Sequence, residues 1–556
     1  MLARLDRVGV ARETASWAAV LGHEFPYAIL RAAAPFDEQR LQDDLAVLVA
    51  AELIHPQGQA RQATYVFKHT LIQEAAYTSL LKRTRQKYHR RIAETLAASF
   101  PQIAQTQPEV LAQHYAQAGL PAQAADHWLA AGERATSQGA TREARTFFDR
   151  ALALIEPADH ERRWRALWGH EAVLHLLGDQ AAQQADVAAL LALAETMDDD
   201  TRRSRAYLQQ ARYAAGQDDN QAMLHAAEAA ICAARRAGNV TLEVKALIGK
   251  VQALTDSGEH AAAQRAADET IVRAQGIEDE AARNAALGDV AYFYLEAGDL
   301  VRGLELMSRA AEAAQQTGDR RKASQCDVNI GFTLAQLVLY APARATLEAG
   351  LALAEATGDR RLQARHTINL GFVHWRSGDR DTARQLVEQA LGEFKATGDA
   401  YGQAACLAYL GFMREEAEDW DAAAEYLAQA RAGFARIGVD SDRIEAQAAA
   451  ARCALAQGRR EEAHRLALEV WDDVCEHGIA ALDSPSRVCL HLAAVLAVTG
   501  LPDSHVSPHQ VLEAGYRALM ELADKLSNPE WRRSFLENVA ENRAIVAWWQ
   551  RLQEDG

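Results

Sequence analysis

The amino-acid sequence predicts an all-α protein made of helical hairpins that repeat with a period of about 40 residues. Two observations carry this prediction. Alanine is abundant while only 12 of the 556 residues are proline, a composition that favours helix because alanine loses no side-chain entropy there and proline breaks helices. In addition, glycines recur at that interval, or at a multiple of it, at Gly238, Gly318, Gly358, Gly398 and Gly438.

The glycine series marks the junctions between predicted helices. Position 278 of the series is Glu278, whereas Asp319, Asp359 and Asp399 directly follow three of its glycines. Glycine adopts the left-handed conformation that ends a helix, and aspartate caps the free N–H groups of the next helix. A second series, offset by half a period, contains Gly178, Gly258, Gly298, Gly378 and Gly458 and is interrupted by Asp218, Val338 and Glu418. Two breaks in every period predict two helices of about 16–18 residues per repeat.

Small residues occupy fixed positions of each repeat. One column, read in steps of one period, contains Glu171, Ala211, Val251, Ala291, Gly331, Gly371, Gly411 and Ala451. Two further columns, which include Ala383 and Ala390, are also dominated by alanine and glycine. Small side chains at these helical positions allow two helices to approach closely, so the columns predict tightly packed hairpins.

This arrangement of small residues resembles the tetratricopeptide repeat (TPR), most clearly in TINLGFVHWRSGDRDTARQLVEQA (Thr367–Ala390). The usual TPR period is about 34 residues, and the longer period here is similar to that of kinesin light chains and bacterial signal-transduction ATPases. The resemblance implies a right-handed TPR superhelix, an α-solenoid. We assign linking TPR-like helices to residues 101–160, eight repeats to residues 161–480, and a terminal repeat with a capping helix to residues 481–556, where Trp548 and Trp549 are expected to close the array.

Residues 1–100 predict a different domain. Three helical patterns are followed by two β-like runs, Leu53–His55 and Thr64–Phe67, which predict a hairpin. The segment that begins GHEFPYAILRAAAP resembles the winged-helix region of STAND-class ATPases, of the kind often fused to a class III adenylate/guanylate cyclase. No GxxxxGK[ST] phosphate-binding loop occurs in the sequence, and no cyclase domain is recognised. The resemblance therefore implies the C-terminal part of such a signalling protein, and we expect no enzymatic activity.

Composition and spacing argue against several other classes of function. The formal net charge of −17 opposes binding of nucleic acid by the chain as a whole. The six cysteines show no CxxC spacing, no long apolar run predicts a membrane span, and a cytoplasmic location is expected. HEAVLH, from His170 to His175, places its histidines five residues apart instead of the four that a zincin helix requires, so neither a metal site nor a cofactor is expected.

Two features of the N-terminal domain leave narrower hypotheses open. His69 follows the predicted hairpin and resembles, in placement, the winged-helix histidine that contacts bound ADP in STAND ATPases, although a structural histidine at the start of a helix is the simpler interpretation. The basic run KRTRQKYHRR (82–91) suggests a DNA-binding regulator. That run lies after the predicted hairpin and not in a recognition helix, so we do not expect nucleic-acid binding.

The strongest candidate site is an aromatic column on the first helices of consecutive repeats: Tyr292, Phe332, Phe372 and Phe412. In TPRs this position faces the concave groove, where asparagines often hold a peptide backbone, and Asn329, Asn369 and Trp375 lie close by in the sequence. The column could instead pack between repeats as core. We predict a non-catalytic scaffold or sensor that binds a protein or peptide in this groove. The alternatives are a subunit that completes a separately encoded ATPase or cyclase, and a DNA-binding regulator.

Overall fold

The computed structural model describes residues 9–58, 63–479, 482–500 and 506–555. Internal contacts divide the chain into two compact units, residues 1–217 and 218–556. Most of the described residues are helical, and the sheet found among them has three short strands. The predicted all-α repeat fold is confirmed.

The first unit begins with helices around an antiparallel sheet, in the order α1 (Ala11–Leu21), β1 (Glu24–Pro26), α2 (Tyr27–Ala33), α3 (Glu38–Ala50), β2 (Ile54–Gln57), β3 (Thr64–Phe67), α4 (Thr70–Thr78) and α5 (Lys82–Ser99). The predicted hairpin is confirmed, because β2 pairs with β3 in antiparallel register, with Ile54 opposite Phe67. Residues 59–62 of its connection lie outside the described residues. Strand β1 pairs with the other side of β3. The sequence analysis did not predict β1, because three residues are too few to show a strand pattern.

The remaining helices of the first unit are α6 (Pro101–Thr106), α7 (Pro108–Gln117), α8 (Pro121–Ser137), α9 (Thr141–Leu154), α10 (His160–Leu177), α11 (Gln180–Thr196) and α12 (Asp200–Ala215). One hydrophobic core runs from the sheet into these helices, with Phe25, Phe67 and Phe148 almost completely buried. The stacked rings of Trp17 and Tyr88, 3.8 Å between centroids, join α1 to α5.

The second unit contains the regular hairpins. Its helices are α13 (Asn220–Arg236), α14 (Val240–Asp256), α15 (His260–Ala274), α16 (Glu280–Glu296), α17 (Leu300–Gln316), α18 (Arg320–Gln336), α19 (Tyr340–Thr357), α20 (Arg360–Arg376), α21 (Arg380–Thr397), α22 (Ala400–Glu416), α23 (Trp420–Ile437), α24 (Asp440–Ala456), α25 (Arg460–His477), α26 (Pro485–Thr499), α27 (Pro508–Lys525), α28 (Pro529–Asn538) and α29 (Ala540–Asp555). From α13 to α25, corresponding helices begin one period apart, as the glycine series predicts.

The junctions between these helices have the predicted chemistry. Asp319, Asp359 and Asp399 each accept a hydrogen bond from the backbone N–H three residues ahead, at 2.9, 3.1 and 3.0 Å. The glycines before them are left-handed, with φ of +74°, +68° and +72°. Asp218, Val338 and Glu418, which interrupt the second glycine series, are also left-handed, with φ of 54°, 63° and 58°. The turn therefore persists without glycine, at the steric cost that a Cβ atom brings.

The small column forms the contact between the two helices of a hairpin. A Cβ atom added to Gly371 on α20 would lie 2.7 Å from Val387 Cγ2 and 3.3 Å from the carbonyl oxygen of Ala383, both on α21. The equivalent additions at Gly331 and Gly411 would lie 2.4 Å from Leu347 and 2.8 Å from Leu427. The close approach inferred from the column is therefore confirmed.

The last three helices fold back onto the repeats. Helix α29 packs against α26 and α27, where Trp549 stacks on Tyr516 at 4.4 Å and Trp548 contacts His509. Among the described residues, no helix has both the length and the apolar character required to cross a membrane.

Candidate functional site

The predicted aromatic column lines a cavity in the second unit. Helices α16, α18, α20 and α22 carry its members at equivalent positions, so all four rings lie on the same side of the repeats. This cavity has a volume of about 600 Å³. All seven predicted binding residues are on its wall: Tyr292, Asn329, Phe332, Asn369, Phe372, Trp375 and Phe412.

The aromatic residues differ in exposure. Tyr292 is 36% exposed, and Phe332 and Phe372 are half-buried. Phe412 and Trp375 are only 5% and 4% exposed. The first three rings therefore present surface to the cavity, whereas the last two are mostly hydrophobic core with one edge on the wall.

Ring contacts connect successive repeats along the wall. Phe332 and Phe372 lie 5.6 Å apart between centroids, and Phe372 stacks on Tyr409 at 5.5 Å. Trp375 contacts Phe372 and Phe412 at 6.0 and 6.3 Å. Because Phe332, Phe372, Trp375 and Phe412 contact rings of neighbouring repeats, this part of the apolar wall is preorganised.

The two asparagines are already engaged with the chain through their amide nitrogens. Asn329 Nδ2 donates to the Tyr292 hydroxyl at 2.8 Å, and Asn369 Nδ2 donates to the Val328 carbonyl at 3.4 Å. Within the described residues, the side-chain oxygen of neither asparagine accepts a hydrogen bond. Each asparagine therefore retains an acceptor that a ligand N–H group can use.

The C-terminal helices form another part of the wall. Leu519 and Leu522 on α27 and Phe535 on α28 line the cavity. Glu541 on α29 forms a two-pronged ion pair with Arg376 on α20, with both N–O distances 3.0 Å. Lys525 at the end of α27 donates to the carbonyl of Ala297, after α16. These contacts hold the C-terminal helices across the repeats that carry the aromatic column.

The charges around Glu541 strengthen the contact between the C-terminal helices and the repeats. Burial opposes ionisation of Glu541, but the hydrogen bond from Arg376 and the charges of Arg487 and Arg376 outweigh it and lower the pKa of Glu541 to about 2. Arg487 also lies over the rings of Phe412 and Trp375, at 4.7 and 5.2 Å from their centroids. Arg487 therefore joins the ion pair to the aromatic wall.

The sequence analysis missed an acidic part of the wall, formed by Asp442 and Glu445 on α24 and by Asp483 just before α26. Burial, and then the charge of Asp483, raise the pKa of Asp442 to about 7. Burial also raises the pKa of Glu445, which is only 8% exposed, whereas Asp483 is an exposed residue at the edge of this wall. We call these three residues the acidic wall.

The repeat pattern could have identified some of the cavity residues that the sequence analysis missed. Tyr409 occupies the same repeat position as Asn329 and Asn369, one period after Asn369. Asp442 and Glu445 extend the cavity-facing side of the repeats into the next hairpin. No periodic signal identifies Asp483 or Glu541, because both follow the regular repeats and reach the cavity only through tertiary packing.

The other residues considered from the sequence belong to the first unit. His69 is exposed directly before α4, and the basic run forms the beginning of α5, where Arg90 pairs with Glu94 at 2.8 Å. In the HEAVLH segment, His170 contacts Asp186 at 2.8 Å, while the fully buried Glu171 pairs with Arg212. Among the described residues, no group of three or more potential ligands is placed to hold a metal ion.

Comparison with known proteins gives limited matches. No family model matches the sequence. An uncharacterized protein of Rhizobium meliloti (strain 1021) is 35% identical over 152 residues, a segment that represents 27% of this chain and 15% of that protein.

Similar solved structures include two helical repeat proteins. The apo form of RapI is 14% identical with a TM-score of 0.46, over 67% of this chain and 99% of RapI. A STAND protein with a tetratricopeptide repeat sensor from Pyrococcus horikoshii is 13% identical with a TM-score of 0.35, over 94% of this chain and 65% of that chain. These likenesses are too weak to assign an activity or a ligand.

Proposed function

We propose that this chain is a ligand-sensing TPR-like module whose ligand occupies the cavity in the second unit. The observation that carries the proposal is the convergence on one cavity wall of seven residues proposed from the sequence: the aromatic column and three neighbours. A volume of about 600 Å³ suits a small molecule or a short peptide segment. The half-buried rings of Phe332 and Phe372 supply apolar contact area, while Asn329 and Asn369 supply acceptors.

The C-terminal helices provide a means of signalling occupancy. They share the cavity wall with the repeats and are fixed there by the Arg376–Glu541 ion pair. A ligand that contacts both parts binds best when they are in one particular arrangement, so its binding shifts the population toward that arrangement. In this proposal the readout is a change in how α27–α29 pack on the repeats.

The neutral fluorescent dye Nile red tests whether the cavity takes a ligand. We expect saturable binding with one dye per chain, and Phe372→Ala should weaken it at least about fivefold, equivalent to about 1 kcal/mol. Tyr426→Ala is the matched control, because it removes a half-buried ring of the same unit that does not line the cavity. Binding that is unsaturable, or equally affected by both changes, would contradict the proposal.

We further propose that the module is the regulatory part of a STAND-type signalling protein. The alternative is that it completes a separately encoded ATPase or cyclase. The order of elements in residues 11–99, with a three-stranded antiparallel sheet, supports a winged helix in this region. Co-expression with a STAND ATPase core tests this proposal. A ligand-dependent change in ATP hydrolysis is expected, and an unchanged rate over the whole range of cavity occupancy would contradict it.

A further inference from the structure

The acidic wall contains carboxyl groups that lack a cationic partner. Among the described residues, no arginine or lysine forms an ion pair with Asp442, Glu445 or Asp483. Glu445 accepts a hydrogen bond from the Ser484 backbone N–H at 2.6 Å, and Asp442 accepts one from the Ser441 hydroxyl at 3.4 Å. These neutral donors do not balance negative charge.

Two of the three arginines on the same cavity are engaged by Glu541. Arg376 and Arg487 both pair with Glu541, at 3.0 and 3.4 Å. The charge of Arg487 lowers the pKa of Glu445, but burial and the charge of Asp483 outweigh it. The remaining charged groups on the wall are Arg365, Asp399 and Glu296, and Asp399 pairs with Arg361 at 2.9 Å. Carboxyl groups therefore outnumber the arginines that face them.

The raised pKa values of the acidic wall reflect the free-energy cost of ionising carboxyl groups that have no counter-charge. Moving a carboxylate out of water without a counter-charge costs free energy, and the group responds by retaining its proton. A cation placed among these groups would remove the cost of ionising them. The electrostatic field of the cavity therefore favours a positively charged ligand.

An independent observation marks the same place as a ligand site. Ser486, on the cavity wall in the first turn of α26, is 2% exposed. Its hydroxyl has no hydrogen-bond partner among the described residues. A buried hydroxyl that lacks a partner loses its hydrogen bonds to water without replacement, which destabilises the fold. A ligand N–H group donating to Ser486 Oγ would satisfy it.

We propose that the ligand of this cavity carries an ammonium or guanidinium group on an apolar body. The cationic group lies against the acidic wall and Ser486, and the apolar body contacts Phe332 and Phe372. This inference rests on the proposed function and adds the chemical class of the ligand. The aromatic faces reinforce the preference, because they attract cations as well as apolar groups.

Two probes that differ in one group test the inference on the full chain: phenylbutylammonium and phenylbutanol. By calorimetry near neutral pH, we expect the ammonium probe to bind at least about tenfold more tightly than the alcohol, equivalent to about 1.4 kcal/mol. The double change Asp442→Asn and Asp483→Asn should bring the two affinities to within about threefold of each other, because it weakens binding of the ammonium probe much more than binding of the alcohol. Asp381→Asn, which alters an exposed carboxylate outside the cavity, should leave the preference intact.

The outcomes separate this inference from the proposed function. Phe372→Ala should weaken both probes by a similar factor, because it removes contacts with the apolar body. If both probes bind equally and Phe372→Ala weakens both, the proposed function stands and the cationic ligand is refuted. If neither probe binds but Nile red does, the cationic ligand is again refuted. If nothing binds, both proposals fail.

The unmodified chain provides a second test that does not depend on the folding of a variant. The affinity for phenylbutylammonium should increase from about pH 6 to about pH 8.5, because the acidic wall ionises over that range while the probe remains charged. The affinity for phenylbutanol should not increase. Equal profiles for the two probes would overturn the inference.

Discussion

Gly371→Leu perturbs the contact between the two helices of one hairpin. The glycine faces Val387 and Ala383 on α21, and even a Cβ atom would lie 2.7 Å from Val387 Cγ2. Val387 is fully buried and β-branched, so it has little freedom to move aside. The contact with the Ala383 carbonyl involves backbone, which cannot change rotamer. Helices α20 and α21 must therefore separate or tilt to accept a leucine.

Overpacking of this kind costs about 1–3 kcal/mol. Gly392→Leu is the matched control, because Gly392 lies exposed on α21 and a Cβ atom there would meet nothing within 4 Å. Replacing that glycine should stabilise the chain by roughly 0.5–1 kcal/mol, since glycine is a poor helix former. Urea unfolding followed by circular dichroism measures both changes in the free energy of unfolding.

Hydrogen exchange locates the effect of the same substitution. Amide protection should fall first in α20 and α21, because each repeat contacts mainly its neighbours. The reasoning would be refuted if Gly371→Leu and Gly392→Leu had the same effect on stability. It would also be refuted if protection were lost elsewhere in the second unit while α20 and α21 stayed unchanged.

Three further predictions, which use four substitutions, test separate parts of the structure. In urea titrations, Phe372→Ala should cost less than about 2 kcal/mol, whereas Phe434→Ala, which removes a fully buried ring, should cost about 3–5 kcal/mol; equal large losses would identify Phe372 as core. Glu541→Gln should remove about 3 kcal/mol of stability, because folding lowers the pKa of Glu541 from 4.5 to about 2. This contribution to the free energy of unfolding is present above pH 4.5 and disappears as the pH falls toward 2. The variant should therefore match the wild type in acid, and a difference that persists near pH 2 would contradict this assignment. Val338→Gly should raise the unfolding free energy by about 1 kcal/mol, because it relieves a left-handed β-branched residue, and a loss would contradict that explanation.

The repeated part of the structure could be predicted because repetition multiplies weak local signals. One glycine followed by aspartate is an ordinary turn, but Gly318–Asp319 recurring at Gly358–Asp359 and Gly398–Asp399 sets the helix boundaries and the period. Once the period is known, every residue has an assigned face. The aromatic column could therefore be assigned to one face of consecutive repeats from the sequence, but the sequence did not decide between a groove and a core packed between repeats.

The remainder of the site depends on contacts that have no local signal. Glu541 lies 165 residues after Arg376, and nothing in the intervening sequence indicates that α29 returns to α20. Asp483 follows the regular repeats, so no repeat position assigns it to the cavity. Val338 shows the limit of the local rule as well, because a β-branched residue occupies the left-handed position where glycine was expected.

The central claim is that the aromatic cavity binds a ligand that carries a cationic group on an apolar body. Crystals of the full chain grown with phenylbutylammonium test it most directly. The account predicts difference density inside the cavity, with the ring beside Phe332 and Phe372 and the nitrogen within hydrogen-bond distance of Asp442 or Asp483. An empty cavity with the probe bound on another surface would contradict it.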